Sequence, residues 1–317
     1  MVPVIPGLAW CGPPREGLGL MEFPSYLFIP LVAALLYAAA SLFFKRAYAQ
    51  GLGMMEAFYW LNFAGGVMFA PLLLTVQDWP AVGEFWKPGT TAGLIFCGTW
   101  ATFAAIRAGD ISLVTPLMGT KVVLTAIVAA LLAGTHLPVG LWLAAGLTTG
   151  GILLLGWRDL QRGQGKATVV GWCLLSSLIF AGADVSIGHW AEGFGRAAFL
   201  GTVFLSIGVL SLAMVRWQAP RVFQVPPAAR PYLVLGAVIM TLNSLAMGLC
   251  IAACNDPTGV NIVYGTRGLW SIALVWFVGQ RWFGNEERET AGKVMRLRLA
   301  GSLLILSAVV VAVLSGR

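Results

Sequence analysis

The chain has 317 residues, of which 58% are hydrophobic and 10% charged, against roughly 25% charged in an ordinary soluble domain. That balance excludes a soluble fold. At about 20 residues per membrane-spanning helix, ten spans leave no room for an additional soluble domain, so the composition implies an all-α polytopic membrane protein. The formal net charge of +7 fits cytoplasmic loops of such a protein, where lysine and arginine collect. No basic stripe with interleaved aromatics lies on a soluble element, so a nucleic-acid partner is not expected.

Residues 1–24 read as an N-terminal tail. They contain Pro and Gly but no basic start followed by an apolar core, so they are not a signal peptide, and Met21 is an alternative start. Apolar runs then place ten spans near residues 27–48, 56–76, 91–109, 112–133, 138–157, 168–190, 197–216, 232–253, 258–280 and 297–315. The longest connections are Asp78 to Pro88, Trp157 to Thr168, Gln218 to Pro231 and Asn285 to Arg296. Of the five cysteines, Cys97, Cys173, Cys250 and Cys254 lie in apolar runs and Cys11 in the tail, a scatter that indicates neither a disulfide framework nor a metal cluster. No cofactor is implied.

The two halves overlay at an offset of 146 residues, with Asp110, Gly119, Thr120 and Lys121 falling on Asp256, Gly265, Thr266 and Arg267. The first spans overlay more weakly at an offset of 143, which sets Leu36-Tyr37-Ala38 over Ile179-Phe180-Ala181 and Ser41 over Asp184. Five spans per half is an odd number, so the second half enters the membrane in the opposite direction. The expectation is therefore two inverted five-helix repeats, residues 25–160 and 161–317, with a substrate near the midplane between them.

The stretch from Ala105 through Gly156, AIRAGDISLVTPLMGTKVV followed by LLAGTHLPVGLWLAAGLTTGGILLLG, resembles the EamA-type drug/metabolite transporter superfamily. The resemblance extends over residues 24–315 and implies a ten-helix secondary transporter of small organic solutes. It also implies a central cavity among helices three, four, eight and nine. The superfamily's small motif after span four carries a glutamate where this chain has Gly134-Thr135-His136, so no role is transferred there.

Lys121 and Arg267 each lie about nine residues into their spans, near mid-bilayer, where a cation costs about 2.5–3.5 kcal/mol. Asp110 and Asp256 are about 16 Å away along the helix axis and read as end-of-helix capping groups. Asp184 in span six is the one interior acid, leaving a local balance of about +1 that the substrate would supply in opposite sign. Lys121 and Arg267 are thus the candidate site for a phosphate or carboxylate. The resemblance points the same way, since sugar-phosphate and nucleotide-sugar branches of the superfamily hold phosphate with basic residues on helices four and nine. The competing reading is structural, with the basic pair serving Asp184 or helix-end carbonyls, or meeting lipid headgroups.

Thr120, Thr266, Asn261 and Tyr264 offer hydrogen bonds to a polar ligand, or helix–helix hydrogen bonds instead. Trp100 and Trp270 offer stacking surfaces, or packing. Asn62 and Asn243 read as structural, and His136 and His189 as interfacial. Asp184 is either a fixed counter-ion or a proton carrier. Small multidrug-resistance relatives exchange protons through a glutamate in their first helix, and span one here has no acid, so that mechanism does not transfer. Gly146 and Gly150, beside Thr149 and Gly151, form a close-packing or homodimer face.

Three alternatives stand beside a transporter of small anions. One is an exporter of neutral or cationic compounds with a structural basic pair. Another is an intramembrane lipid-acting enzyme, which would need a nucleophile–base pair or a metal cluster that the sequence lacks. The last is an accessory subunit. The compactness of the chain favours a bacterial inner membrane.

Fourteen Lys and Arg residues fall in odd-numbered connections, and four in even-numbered connections and the termini: Arg15, Lys87, Arg196 and Arg317. This places both termini outside, whereas the resemblance implies both inside. A C-terminal reporter is therefore expected to report the non-cytoplasmic side, and a cytoplasmic signal would overturn the charge-based orientation.

Overall fold

The computed structural model describes residues 25–108, 114, 117–132, 134, 137–155, 167–218, 223–274 and 291–315. The tail with Cys11 and Met21, Asp110, the Thr135-His136 pair and the repeat boundary at 160/161 lie outside the described residues, as do Arg15, Arg158, Arg162, Lys166, Arg221, Arg281, Arg288 and Arg317.

Among the described residues all regular structure is helical. The helices are α1 Phe28–Ala49, α2 Met54–Phe69, α3 Trp86–Ala108, α4 Lys121–Leu132, α5 Val139–Leu155, α6 Ala167–Phe194, α7 Arg196–Gln218, α8 Arg230–Cys254, α9 Pro257–Tyr264, α10 Arg267–Leu274 and α11 Ala291–Ser315. Six segments are long and apolar enough to cross a membrane unaided: Phe28–Ala49, Met54–Thr75, Val82–Ala108, Ala167–Phe194, Arg196–Arg216 and Arg230–Cys254. Three shorter apolar helices cover Met118–Leu132, Val139–Leu155 and Ala300–Leu314.

Boundaries follow local chemistry. The sequence predicts span three from residue 91, but α3 begins at Trp86 and takes Lys87 and Pro88 into its first turn, where a proline gives up no hydrogen bond the helix needs. Helix α6 runs to Phe194 rather than residue 190 and stops at Gly195, whose φ of +93° lies in the left-handed region. Only that one glycine separates α6 from α7. Asn255, also left-handed at φ 50°, ends α8, and the Asp256 side chain accepts the Gly259 N–H at 2.8 Å to start α9.

Four antiparallel or crossing pairs make the body of the bundle: α1 against α8, α3 against α6, α2 against α7, and α5 against α11. Helix α4 lies on α6, while α1 lies on α9 and α10. Between α3 and α6, Ser176 donates to the Gly98 carbonyl at 2.8 Å and shares a 2.7 Å hydrogen bond with Thr102. Lipid-facing positions remain apolar, as with Leu131, Leu143, Val209 and Val234, because the solvent for these surfaces is hydrocarbon.

One end of the bundle gathers Phe44, Ala47, Leu52, Phe58, Phe103, Val225 and Leu233 into a single apolar cluster. That cluster joins the C-terminal ends of α1 and α3 to the N-terminal ends of α2 and α8, so Lys45, Arg46, Arg107 and Arg230 all belong to this end. Arg46 lies over the Tyr232 ring at 5.9 Å. Lys87 and Arg196 belong to the other end, where Phe85 meets Phe194 and Trp86 meets Trp190. These six described cations are thus divided between the two ends of the bundle as they are in the sequence.

The glycine face of α5 divides. A Cβ at Gly146 or Gly150 would meet nothing within 4 Å, whereas one at Gly151 would lie 2.8 Å from the Gly301 carbonyl oxygen and 2.7 Å from Ile305. Gly151 is therefore the close-packing residue, and it seats α5 on α11. Gly151→Val is expected to lower the thermal midpoint of the detergent-purified protein, at a cost of about 1–3 kcal/mol from overpacking. Gly146→Ala should leave the midpoint unchanged; equal effects at the two positions would contradict the packing.

Candidate functional site

Lys121 and Arg267 occupy the same structural position in their respective segments: each is the first residue of a helix that follows a break. Met118–Thr120 forms a 3-10 turn before α4, and Gly265 and Thr266 form a turn between α9 and α10. The sequence places span nine over 258–280, and among its described residues the structure divides it into two helices at Gly265 and Thr266.

Helix α5 explains the breaks. A side chain at Gly119 would collide with Ile152, and one at Gly265 with Thr148. Those two α5 residues lie one turn apart on one face, so a single ridge presses on both breaks and only glycine fits under it. Thr149 also donates to the Gly119 carbonyl at 3.4 Å. Thr120 donates to the Leu117 carbonyl and Thr266 to the Val263 carbonyl, both at 2.8 Å. The two hydroxyl hydrogens are thereby committed to the turns, leaving oxygen lone pairs as acceptors.

The surroundings of the two cations differ. Lys121 Nζ is 2.7 Å from Asp184 Oδ2, and Asn261 Nδ2 donates to the same oxygen at 2.7 Å and to the Pro257 carbonyl at 2.8 Å. Lys121 also sits over the Phe180 ring at 5.6 Å. This network joins α4, α6 and α9 through one buried carboxylate. Arg267 has no carboxylate within ion-pair distance among the described residues. Its guanidinium instead lies 4.8 Å from the centroids of both Tyr37 and Tyr264, whose rings meet edge-on at 6.0 Å. The Tyr264 hydroxyl faces Arg267 and the Asn243 amide. Aromatic faces attract a cation but do not cancel its charge.

Tyr37 and Phe180 are functional neighbours that the sequence reading passed over. The signal for them was the weak overlay of the first spans, which sets Tyr37 over Phe180 and Ser41 over Asp184. Each basic residue rests on the aromatic of the other half. One turn further along, α6 supplies Asp184 and α1 supplies only Ser41, whose hydroxyl donates to the Tyr37 carbonyl at 2.8 Å.

The remaining candidates separate. Trp270 lies one turn beyond Arg267, partly buried against the central core. Trp100 packs edge-on to Phe58 at 5.6 Å in an aromatic group with Phe96 and Phe103, and is 39% exposed; its ring contact belongs to that group and not to the Lys121 network. Asn62 donates to the Phe58 carbonyl at 2.9 Å within its own helix. His189 is exposed near the end of α6, beside Trp190. Asp256 caps α9 and accepts the Tyr26 hydroxyl at 3.0 Å. Burial raises its carboxyl above the ordinary value, against the lowering pull of hydrogen bonds from the Gly259 N–H and Tyr26. No group of three or more His, Cys, Asp or Glu among the described residues could hold a metal ion.

These features define a polytopic helical membrane protein with ionisable groups placed at broken helices inside the apolar bundle. Residues 24–157 match the model of the EamA-like transporter family, the family that the sequence resembles. No curated protein matches the chain. A solved structure described as "Crystal structure of protein" has the same fold, with a TM-score of 0.70 at 16% identity, covering 91% of this chain and 98% of that one.

Breaking the buried pair from one side leaves an uncompensated charge, which costs about 3–5 kcal/mol, whereas replacing both partners with apolar residues is often neutral. Lys121→Met and Asp184→Leu are each expected to destabilise the purified protein strongly, and the double variant to recover most of the loss in thermal unfolding. Additive losses would contradict the pairing.

Proposed function

We propose that the protein is a secondary transporter that moves a small organic anion, a carboxylate or phosphate, across the membrane by alternating access. The observation that carries this reading is the asymmetry between the two cations. Lys121 is neutralised by Asp184, while Arg267 lies between two tyrosine rings with no ion-pair partner among the described residues. A charge inside a membrane bundle calls for a counter-charge, and a guanidinium presents a fork suited to carboxylate or phosphate. Arg267 binds the anion in this reading. Lys121 is the second cation within reach, Thr120, Thr266, Asn261 and Tyr264 supply neutral contacts, and Trp270 lines the path.

Ten spans in two inverted five-helix repeats form the scaffold. The packing supports this arrangement: exchanging the halves turns the α1–α8 pair into the α6–α3 pair and returns α2–α7 and α5–α11 to themselves. Broken helices at the interface between repeats are the usual location of a transporter's substrate. Rocking of one half against the other would open the site alternately to each face. Asp184 acts as counter-ion to Lys121 when the site is empty, and can carry a proton when substrate draws the lysine away.

The Lys121–Asp184 pair also favours, for that half of the site, the reading in which basic residues are structural and the cargo is neutral or cationic. The EamA match over residues 24–157 supports transport over enzymatic chemistry. The compactness of the chain favours a bacterial inner membrane, the loop charges favour both termini outside, and the open Gly146–Gly150 face of α5 is the surface for a homodimer. The partners are the substrate and the bilayer.

A thermal-shift screen of purified protein against phosphorylated, carboxylate and cationic metabolites tests the reading. Binding to the native state adds about 2.7 kcal/mol of stability at a hundredfold excess over Kd. One anion class should stabilise the wild type and fail on Arg267→Ala. Ser41→Asp, which supplies α1 with the carboxylate that α6 already has, should abolish the anion response while leaving the unliganded protein folded. Stabilisation by a cation or neutral compound in all three proteins would make the basic pair structural.

A further inference from the structure

We infer that the contact between Tyr26 and Asp256 is a pH-sensitive latch: it holds the start of α1 against the start of α9 while the Asp256 carboxyl carries its proton, and releases when the carboxyl ionises. The inference goes beyond the transport reading above and is independent of the cargo.

Tyr26 lies in the 3-10 turn Ser25–Leu27 that leads into α1, and two of its hydrogen bonds run to the second half of the chain. Its hydroxyl donates to Asp256 Oδ2 at 3.0 Å, and its carbonyl accepts the Cys250 thiol at 3.6 Å. Asp256 belongs to the two-residue link between α8 and α9, beside Asn255 at φ 50°. Helix α9 therefore has a turn at each end, Asn255-Asp256 before it and Gly265-Thr266 after it. It is an eight-residue rod. Its first end is tied to α1 through Tyr26, and its last residue, Tyr264, carries the Arg267 guanidinium on its ring. Releasing the first end frees α9 to tilt between its two turns, and the tilt is felt at the second.

The carboxylate is set for titration. Oδ1 accepts the Gly259 N–H at 2.8 Å and Oδ2 accepts the Tyr26 hydroxyl. Both donors are neutral, and no cation lies within ion-pair distance among the described residues, whereas Asp184 has Lys121. The other neighbours add no positive charge. Helix α8 offers the Cys250 thiol. Helix α6 turns Gly188 toward the link, where a Cβ would lie 3.1 Å from Asn255 Oδ1, while its His189 is exposed and its Glu192 pairs with Arg196 at 3.6 Å. A carboxyl removed from water holds its proton more tightly than a hydrated one. Burial accordingly raises Asp256, against the lowering pull of Gly259 and Tyr26. The closed latch is thus fully stabilised below the ordinary carboxyl value of about 4 and loses that stabilisation as pH rises through the raised one.

The opposite end of the bundle is built differently. The 143-residue offset that sets Tyr37 over Phe180 also sets Tyr26 over Val169, which is buried in an apolar cluster with Ala105, Val114 and Leu117. Valine does not titrate. The latch therefore answers to the pH at the end where Tyr26 packs with Phe85, Trp190 and Phe194.

Hydrogen–deuterium exchange of the full-length protein in nanodiscs, read by mass spectrometry from about pH 5 to about pH 9 and corrected for the intrinsic pH dependence of exchange, tests the latch. Protection of residues 25–31 and 255–262 should fall at least about tenfold as pH rises, the linkage of one pKa unit, while residues 167–173 stay unchanged. Asp256→Asn keeps a helix cap but cannot ionise, and should hold one level of protection across the range. Tyr26→Phe removes a donor that favours the charged form, so its fall in protection should continue to higher pH than in the wild type. Should Asp256→Asn fail to fold, the Tyr26→Phe profile decides alone. Protection that is flat with pH in the wild type, a fall that survives in Asp256→Asn, or a Tyr26→Phe profile that matches the wild type would each overturn the latch.

Discussion

Everything else in this molecule is arranged around the cost of holding two cations in an apolar bundle. A lysine or arginine at mid-bilayer costs about 2.5–3.5 kcal/mol, and the chain meets that cost in two different ways. Lys121 is given a carboxylate at 2.7 Å, itself fixed by Asn261. Arg267 is given two tyrosine faces, which stabilise a cation without discharging it. The first solution closes on itself, while the second leaves the positive charge that the proposed anion would meet.

The broken helices are the structural means to this end. At each break the backbone tightens and its N–H groups stay paired: the Lys121 N–H turns back to the Met118 carbonyl, and those of Thr266, Gly268 and Leu269 to carbonyls three residues back. Helix α5 enforces both breaks with one ridge, Thr148 and Ile152, pressed against Gly119 and Gly265. Helix α5 is in turn held by α11 through the Gly151–Gly301 approach. A chain of small-residue contacts therefore runs from the bundle's edge to the two charged centres, and any rocking of α5 on α11 would be felt at both.

Much of this was legible in the sequence. Hydropathy located five of the six long apolar segments to within four residues at each end, and the 146-residue offset aligned Gly119-Thr120-Lys121 with Gly265-Thr266-Arg267 before any coordinates. Capping by Asp256 was read correctly from its distance to Arg267. The break at Gly265 was not, because hydropathy is blind to a turn whose residues are as apolar as the helices around it. The pairing of Lys121 with Asp184 stood only as one of several readings, since it depends on how α4 crosses α6. Tyr37 and Phe180 were visible in the overlay but silent as to role, because an aromatic in an apolar run is ordinary packing until a cation is found above it. Trp100 drew notice by residue type, and its neighbours are other aromatics.

The central claim is that Arg267 is an uncancelled cation whose counter-charge is the ligand's. It is tested most directly by locating a bromine-labelled carboxylate, such as 3-bromopropionate, in an experimental structure by its anomalous scattering. The account places the bromine within a few ångströms of the Arg267 guanidinium, between α1, α8 and α9, and predicts its loss in Arg267→Gln. Bromine bound only at the loop lysines and arginines, or a central site that persists unchanged in Arg267→Gln, would contradict it.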